Sequence, residues 1–80
     1  YQVAFQDEAL AQMVRHAITQ DKRIGGQPIM VRAANGEIAL KGRVDTAEQR
    51  ELALLVAQGI PGVRHVNIDE LIIKEGGESE

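Results

Sequence analysis

The sequence contains no cysteine and only two aromatic residues, Tyr1 and Phe5. The missing cysteine excludes a disulfide framework, a thiol nucleophile and a zinc ribbon. Because aromatic side chains are so few, the core has to be aliphatic. The single serine, Ser79, lies among acidic residues, which argues against a serine nucleophile held by a packed base.

Long apolar runs are also missing: the longest covers only residues 52–57. A membrane-spanning helix needs roughly 20 apolar residues, so we expect no transmembrane segment. The chain begins at Tyr1 with neither an initiating Met nor a signal peptide, and we therefore expect a processed chain or an excised fragment. Its 80 residues, 44% hydrophobic and 26% charged, are typical of one small globular domain.

The charge balance argues against a nucleic-acid partner. The formal charge is −3, from nine basic and twelve acidic residues, and the acidic excess equals the three glutamates of residues 75–80. The remaining chain is neutral, whereas a nucleic-acid-binding domain usually carries net positive charge.

The N-terminal third predicts one helix. Residues 1–6 alternate in polarity, with Tyr1, Val3 and Phe5 on one side, and are expected to form a linker or a short edge strand. Asp7 is a suitable N-cap, and apolar residues then recur at helical spacing over residues 8–21.

A β-hairpin follows, in which two alternating segments, residues 29–34 and 37–44, flank Asn35-Gly36. This dipeptide favours a two-residue type I′ turn. Such a turn pairs Val31 with Leu40, and both strands then bury the same face. Gly42 falls opposite Ile29 in this register, where it could leave room for a helix to approach the sheet.

The rest of the chain predicts a second helix and a third strand. Asp45-Thr46-Ala47-Glu48 resembles a capping box, and Gly59 suits a left-handed C′ position before Pro61. The strand spans residues 63–73, with a bulge at Asp69-Glu70 where the alternation breaks. The predicted helix has an apolar stripe with two alanines that allow close approach: Leu52, Leu55, Val56 and Ile60, with Ala53 and Ala57.

These elements predict an α+β fold, an α-β-β-α-β sandwich with a three-stranded sheet and two helices packed on one face. The expected organisation is a linker or edge strand over residues 1–6, a domain over 7–74 and a flexible acidic tail over 75–80. Gly62 suits a tight turn before the third strand.

No catalytic or metal-binding pattern is present, and we expect no enzyme and no cofactor. His16 and His65 lie on different elements without ligand spacing, and the paired acids at helix starts are explained by capping. Gly25-Gly26 reads as a loop. The Gly59–Gly62 pattern resembles the GxxG of KH domains, but it joins a helix to a strand and lacks a basic cluster.

The outward side of the hairpin is the one surface with a pattern. It carries Met30, Arg32, Lys41 and Arg43, together with Glu37 and, on the third strand, His65. Such a face could bind anionic lipid headgroups or an acidic partner, each cation contributing on the order of 1 kcal/mol near an anionic membrane. An ordinary solvated sheet face remains the alternative.

Residues 7–74 resemble a BON domain, the bacterial module named for osmotically inducible periplasmic and nodulation proteins. The resemblance is carried by Asp7-Glu8-Ala9-Leu10, by Gly36-x-x-x-Leu40-x-Gly42-x-Val44 and by Gly62-Val63-x-x-Val66. One departure follows the last motif: where the family commonly reads Val-x-Asn-x-Leu, this chain has Val66-Asn67-Ile68-Asp69-Glu70-Leu71, which adds a residue.

The resemblance implies an α/β sandwich without catalysis and a role at the cell envelope, with phospholipid binding proposed for the family. It names no fixed functional residues, and its hosts include periplasmic stress proteins, secretins and mechanosensitive channels. Two functions stay open: a module that binds an anionic phospholipid surface or anchors a larger protein, and a protein-interaction or ring-forming domain that self-associates. The periplasm or cell envelope is the expected location, and a cytoplasmic multidomain host stays open.

Overall fold

The computed structural model describes the backbone of residues 2–74, with side chains from residue 6 onward. Its elements, in chain order, are α1 (Gln2–Gln20), β1 (Ile29–Ala34), β2 (Glu37–Val44), α2 (Ala47–Gln58) and β3 (His65–Ile73). The strands form one mixed sheet in the order β1-β2-β3, antiparallel between β1 and β2 and parallel between β2 and β3. The predicted α+β fold is confirmed.

The first helix begins earlier than predicted. Residues 2–6 belong to α1, so the edge strand that was one alternative there is wrong, and Asp7 lies inside the helix instead of capping it. No Gly or Pro interrupts residues 2–20, so the helix continues through the alternating segment. The Asp7 carboxylate instead accepts a hydrogen bond from the backbone N–H of Asn35, at 3.0 Å. Tyr1 and the predicted acidic tail lie outside the described residues.

The hairpin is confirmed in turn type and in register. Asn35 and Gly36 have φ values of 54° and 82°, as a type I′ turn requires. Val31 lies opposite Leu40 across the two strands. The turn is held against α1 by the Asp7 hydrogen bond and against β3 by the Gly36 carbonyl, which accepts from the backbone N–H of Arg64 at 2.8 Å.

One face of the sheet is buried under the two helices, with α1 against β1 and α2 against β2 and β3. Among residues 6–74, whose side chains the structure describes, the core between them is wholly aliphatic. Its buried members are Ala11, Val14, Ile18, Ile24, Val31, Ile38, Leu40, Val44, Ala53, Ala57, Val66 and Leu71. Both helices therefore pack on one side of the sheet.

The capping box of α2 lies one residue later than predicted. Thr46 is the N-cap; its hydroxyl accepts from the backbone N–H of Gln49 at 3.1 Å, and the Gln49 side chain accepts from the Asp45 N–H at 2.8 Å. Ala53 and Ala57 are buried, which confirms the close approach of α2 to the sheet. Leu55, predicted in the apolar stripe, is 54% exposed.

Two glycines near the end of α2 had predicted conformations, of which one is wrong and the other is confirmed. Gly59 has φ −80° and is right-handed, so the predicted left-handed C′ position is wrong. The chain stays in tight turns beyond it, because the N–H of Ile60 donates to the Ala57 carbonyl and that of Val63 to the Ile60 carbonyl. The positive φ is instead at Gly62, at 98°, in the predicted turn before β3.

The predicted bulge in β3 is confirmed. Ala39 lies opposite Asn67 and Lys41 opposite Glu70, so two residues of β3 face the single Leu40 of β2. The Asn67 side chain accepts from the Asp69 N–H at 2.8 Å, which satisfies one donor within the bulge. The extra residue coincides with the departure from the BON sequence pattern.

Gly42 lies opposite Ile29, as predicted, but the space beside it is not occupied by a helix. Its φ is +139°, and a Cβ there would overlap the Pro28 carbonyl oxygen. The group that approaches Gly42 is thus the backbone at the start of β1.

The turn after α1 holds a local ion pair between Asp21 and Arg23. Asp21 accepts hydrogen bonds from the Arg23 side chain, at 2.8 Å from Nη2 and 3.1 Å from Nε, and from the Arg23 backbone N–H at 2.8 Å. The side-chain hydrogen bonds, followed by the backbone one, lower the pKa of Asp21 from 3.8 to about 2.

We expect an NMR pH titration to give Asp21 a pKa of about 2, and Arg23→Gln to move that pKa towards 3.8. Because the folded-state pKa is lowered, the stabilising contribution of this pair is complete above the unfolded pKa of 3.8 and is lost as the pH falls towards about 2. A wild-type pKa near 3.8 would contradict the hydrogen-bonded geometry.

Candidate binding surface on the open sheet

The side of the sheet opposite the helices is the outer face, and no described element covers it. Its residues alternate with the core positions along each strand, and the bulge shifts the alternation by one residue in β3. The outer face consists of Met30, Arg32 and Ala34 from β1, Glu37, Ala39, Lys41 and Arg43 from β2, and His65, Asn67, Glu70 and Ile72 from β3.

The structure places all four predicted site residues on the outer face. Met30 lies opposite Lys41 in the hairpin, and Arg32 lies opposite Ala39. A depression of about 180 Å³ on this face is lined by Met30, Arg32, Ala39, Lys41 and Glu70. Arg43 lies one row further along β2, opposite Ile72. Their role in binding stays a prediction.

The positive charge of the outer face is partly compensated. The Lys41 ammonium lies 3.8 Å from the Glu70 carboxylate, with both side chains more than 60% exposed. An exposed pair of this kind contributes 1 kcal/mol at most and is screened by salt. Within the described part of the chain, Arg32 and Arg43 form no ion pair. These two arginines are therefore the available cations of the face.

Exposed apolar side chains accompany these cations. Met30 is 58% exposed and Ile72 is 51% exposed, on the two outer strands of the sheet. The side of the sheet on which Glu70 and Ile72 lie could not be predicted from the sequence, because the bulge shifts the alternation of β3 by one residue. The one signal in the sequence was the break in the alternation of polar and apolar residues at Asp69-Glu70.

The outer face suits contact with a surface more than enclosure of a small molecule. Its depression is smaller than the roughly 300–1,000 Å³ of typical ligand pockets. Among residues 2–74, no three His, Asp or Glu side chains are grouped to hold a metal ion. His16 and His65 are both exposed. Nor does any described helix combine the length and hydropathy that crossing a bilayer demands.

A larger cleft, of about 500 Å³, lies at the end of the molecule where α1 meets the hairpin turn and the turn at Gly62. Leu10 and Met13 line it on one side and Arg64 on the other. The stem of Arg64 packs over Gly36, where a Cβ would come within 2.6 Å of the Arg64 Cδ. Arg64 is its one basic residue, so the GxxG turn at its rim lacks the basic surroundings of a nucleic-acid clamp.

Fold and surface together define a small α+β sandwich with one open sheet face. The sequence profile of the BON domain matches residues 6–75, and the chain belongs to this family. No curated protein matches the chain.

A solved structure shares the fold. It is the C-terminal domain of CdsD, the structural protein of the type III secretion system of Chlamydia trachomatis, with a TM-score of 0.67 and 19% sequence identity. The match covers 84% of this chain and 33% of that one, so this chain spans about a third of its length.

Proposed function

We propose that this BON domain is a non-catalytic binding module of the bacterial cell envelope, and that its outer face binds anionic phospholipid headgroups. The observation that carries the proposal is the grouping of Arg32, Lys41 and Arg43 on one uncovered face, beside exposed Met30 and Ile72. Cations would meet the headgroups, and the two apolar side chains would contact the lipid boundary.

The expected binding is weak and depends on salt. Each cation near an anionic membrane contributes on the order of 1 kcal/mol, and the attraction decays within a Debye length of roughly 8–10 Å. Glu70 offsets part of the Lys41 charge, since the two groups lie 3.8 Å apart. Such an affinity suits a module that assists the anchoring of a larger protein.

The cell-envelope location is part of this proposal. Membership of the BON family supports it, and so does the likeness to a domain of a secretion-system structural protein. Among envelope compartments we favour the periplasm, where the family's osmotic-stress proteins act.

The test is co-sedimentation with vesicles of phosphatidylglycerol and phosphatidylcholine, compared with pure phosphatidylcholine, at low and at physiological salt. We expect binding to the anionic vesicles alone, weakened by salt. The variant Arg32→Gln/Arg43→Gln removes the two cations of the outer face that have no ion-pair partner among the described residues, and it should weaken binding at least tenfold, at about 1 kcal/mol per cation. Lys41 is left unchanged because Glu70 already compensates it.

Lys22→Glu is the matched control, because it lowers the net charge by the same two units at an exposed residue in the turn after α1 that is not part of the outer face. This control should keep most of the wild-type binding. Equal loss in both variants would mean that net charge alone governs binding, and absence of binding to any vesicle would overturn the proposal.

A protein-interaction domain that self-associates or forms rings is the second candidate. Met13 and Leu55 on the two helices are 46% and 54% exposed, so apolar side chains are also available on the helical layer. The likeness to a secretion-system structural protein fits this candidate as well. A mass that rises with concentration in sedimentation equilibrium, together with no vesicle binding, would favour it over the lipid-binding proposal.

A further inference from the structure

We propose that residues 75–80, the acidic segment that follows β3, bind back onto the outer face at its Arg43–Lys41 end. The segment would act as an internal ligand that competes with anionic surfaces for these cations. Residues 75–80 lie outside the described residues, and three properties of the chain support their binding here: its exit point, its reach and its charge.

The exit point lies beside Arg43. The backbone N–H of Lys74 donates to the Val44 carbonyl at 2.6 Å, so the chain is still paired with β2 at this residue. Ile72, two residues earlier, lies opposite Arg43. The acidic segment therefore starts within one strand spacing of β2, about 4.8 Å, and close to the row that holds Arg43.

The length of the acidic segment determines which cations of the outer face it can contact. The six residues 75–80 can span about 20 Å when extended. Arg43 and Lys41 lie on the neighbouring strand, in the rows of Ile72 and Glu70. Arg32 lies two strands away in the row of Ala39, at the limit of this reach. A reversal towards the face needs residues with few backbone restrictions, and glycine, which the segment contains at positions 76 and 77, is the least restricted residue.

Charge complementarity supplies the attraction. The segment carries Glu75, Glu78 and Glu80, which equal the whole acidic excess of the chain. Arg43, the cation of the outer face nearest to the exit point, has no ion pair within the described part of the chain, whereas Lys41 already lies near Glu70. Each exposed pair is weak, but a short covalent link gives an effective concentration in the millimolar range. A salt-sensitive contact in rapid exchange is the expected result.

The experiment uses a spin label, because the chain has no cysteine and Ser79→Cys creates a unique attachment site. Paramagnetic relaxation enhancement of amide signals is then measured at low salt without vesicles. We expect stronger enhancement at Lys41 and Arg43 than at His16 and Glu51 on the helical layer. Adding salt, or replacing Arg43 with Gln, should reduce this difference by at least half.

Arg32→Gln is the matched control, since it removes the same charge from the far end of the outer face and should leave the enhancement pattern nearly unchanged. A pattern that is the same at high salt and in Arg43→Gln would overturn the inference. So would equal enhancement of the sheet and the helical layer. Because no vesicle is present, this result is independent of whether the outer face binds phospholipid.

Discussion

Replacing Gly42 with alanine is expected to lower the free energy of unfolding by about 3 kcal/mol or more, which corresponds to a fall of about 15 °C in melting temperature for a domain of this size. Gly42 has φ +139°, which L side chains rarely adopt, and an added Cβ would overlap the Pro28 carbonyl oxygen. That oxygen also accepts a hydrogen bond from the Arg43 N–H at 3.3 Å. Backbone on both strands would have to move.

Gly26→Ala is the control for this substitution, because a Cβ at Gly26 meets no atom within 4 Å. Its effect on stability should stay within about 0.5 kcal/mol of zero. Thermal unfolding of both variants, followed by circular dichroism, gives the comparison. Similar melting temperatures for Gly42→Ala and Gly26→Ala would show that β1 and β2 can separate at this point without loss of stability.

The hairpin could be predicted in full because its determinants are local. Asn35-Gly36 specifies a turn of two residues, and a turn of known length fixes which residues face each other. The period of two along each strand then assigns every side chain to the core or to the outer face. Met30, Arg32, Lys41 and Arg43 were placed together by this reasoning alone.

Helix boundaries were less predictable, because several residues in a row can serve as caps. Asp7 and Asp45 both precede apolar periodicity, and each is a suitable N-cap. Tertiary contacts decide otherwise: the Asp7 carboxylate binds the Asn35 N–H in the hairpin turn, and Thr46 with Gln49 forms the capping box of α2. The position of the hairpin turn relative to α1 could not be predicted from the sequence alone, and so neither could the partner of Asp7.

The third strand shows why the candidate site was only partly predictable. The break in alternation at Asp69-Glu70 indicates a bulge, but not which residue is unpaired. The pairing of Lys41 with Glu70 settles the register and puts Glu70 and Ile72 on the outer face. The bulge therefore changes the predicted face by one negative charge and one apolar side chain.

The same bulge depends on a side chain that no local pattern identifies. Arg50, in the first turn of α2, donates from Nε to the Leu71 carbonyl at 2.6 Å and from Nη2 to the Ile68 carbonyl at 3.0 Å. The Ile68 carbonyl, 18 residues along the chain from Arg50, lies in the bulge, and the Leu71 carbonyl, 21 residues along, lies just beyond it. The planar guanidinium has donors spaced to bind both.

We expect Arg50→Met to lower the free energy of unfolding by about 2–3 kcal/mol, because it keeps the length of the side chain but leaves two partly buried carbonyls without their charged donor. Arg50→Lys should be intermediate, since one ammonium cannot reproduce the fork. Urea denaturation measures both variants, and amide hydrogen exchange at Asp69 and Leu71 should accelerate if the bulge loosens.

Arg15→Met is the matched control, because Arg15 is exposed and forms neither an ion pair nor a side-chain hydrogen bond within the described part of the chain. Its effect should stay within about 0.5 kcal/mol of zero. If Arg50→Met were as mild, water would satisfy the two carbonyls as well as the guanidinium does. A large loss would instead mean that α2, through one arginine, holds the added residue of β3 in the register that places Ile72 opposite Arg43.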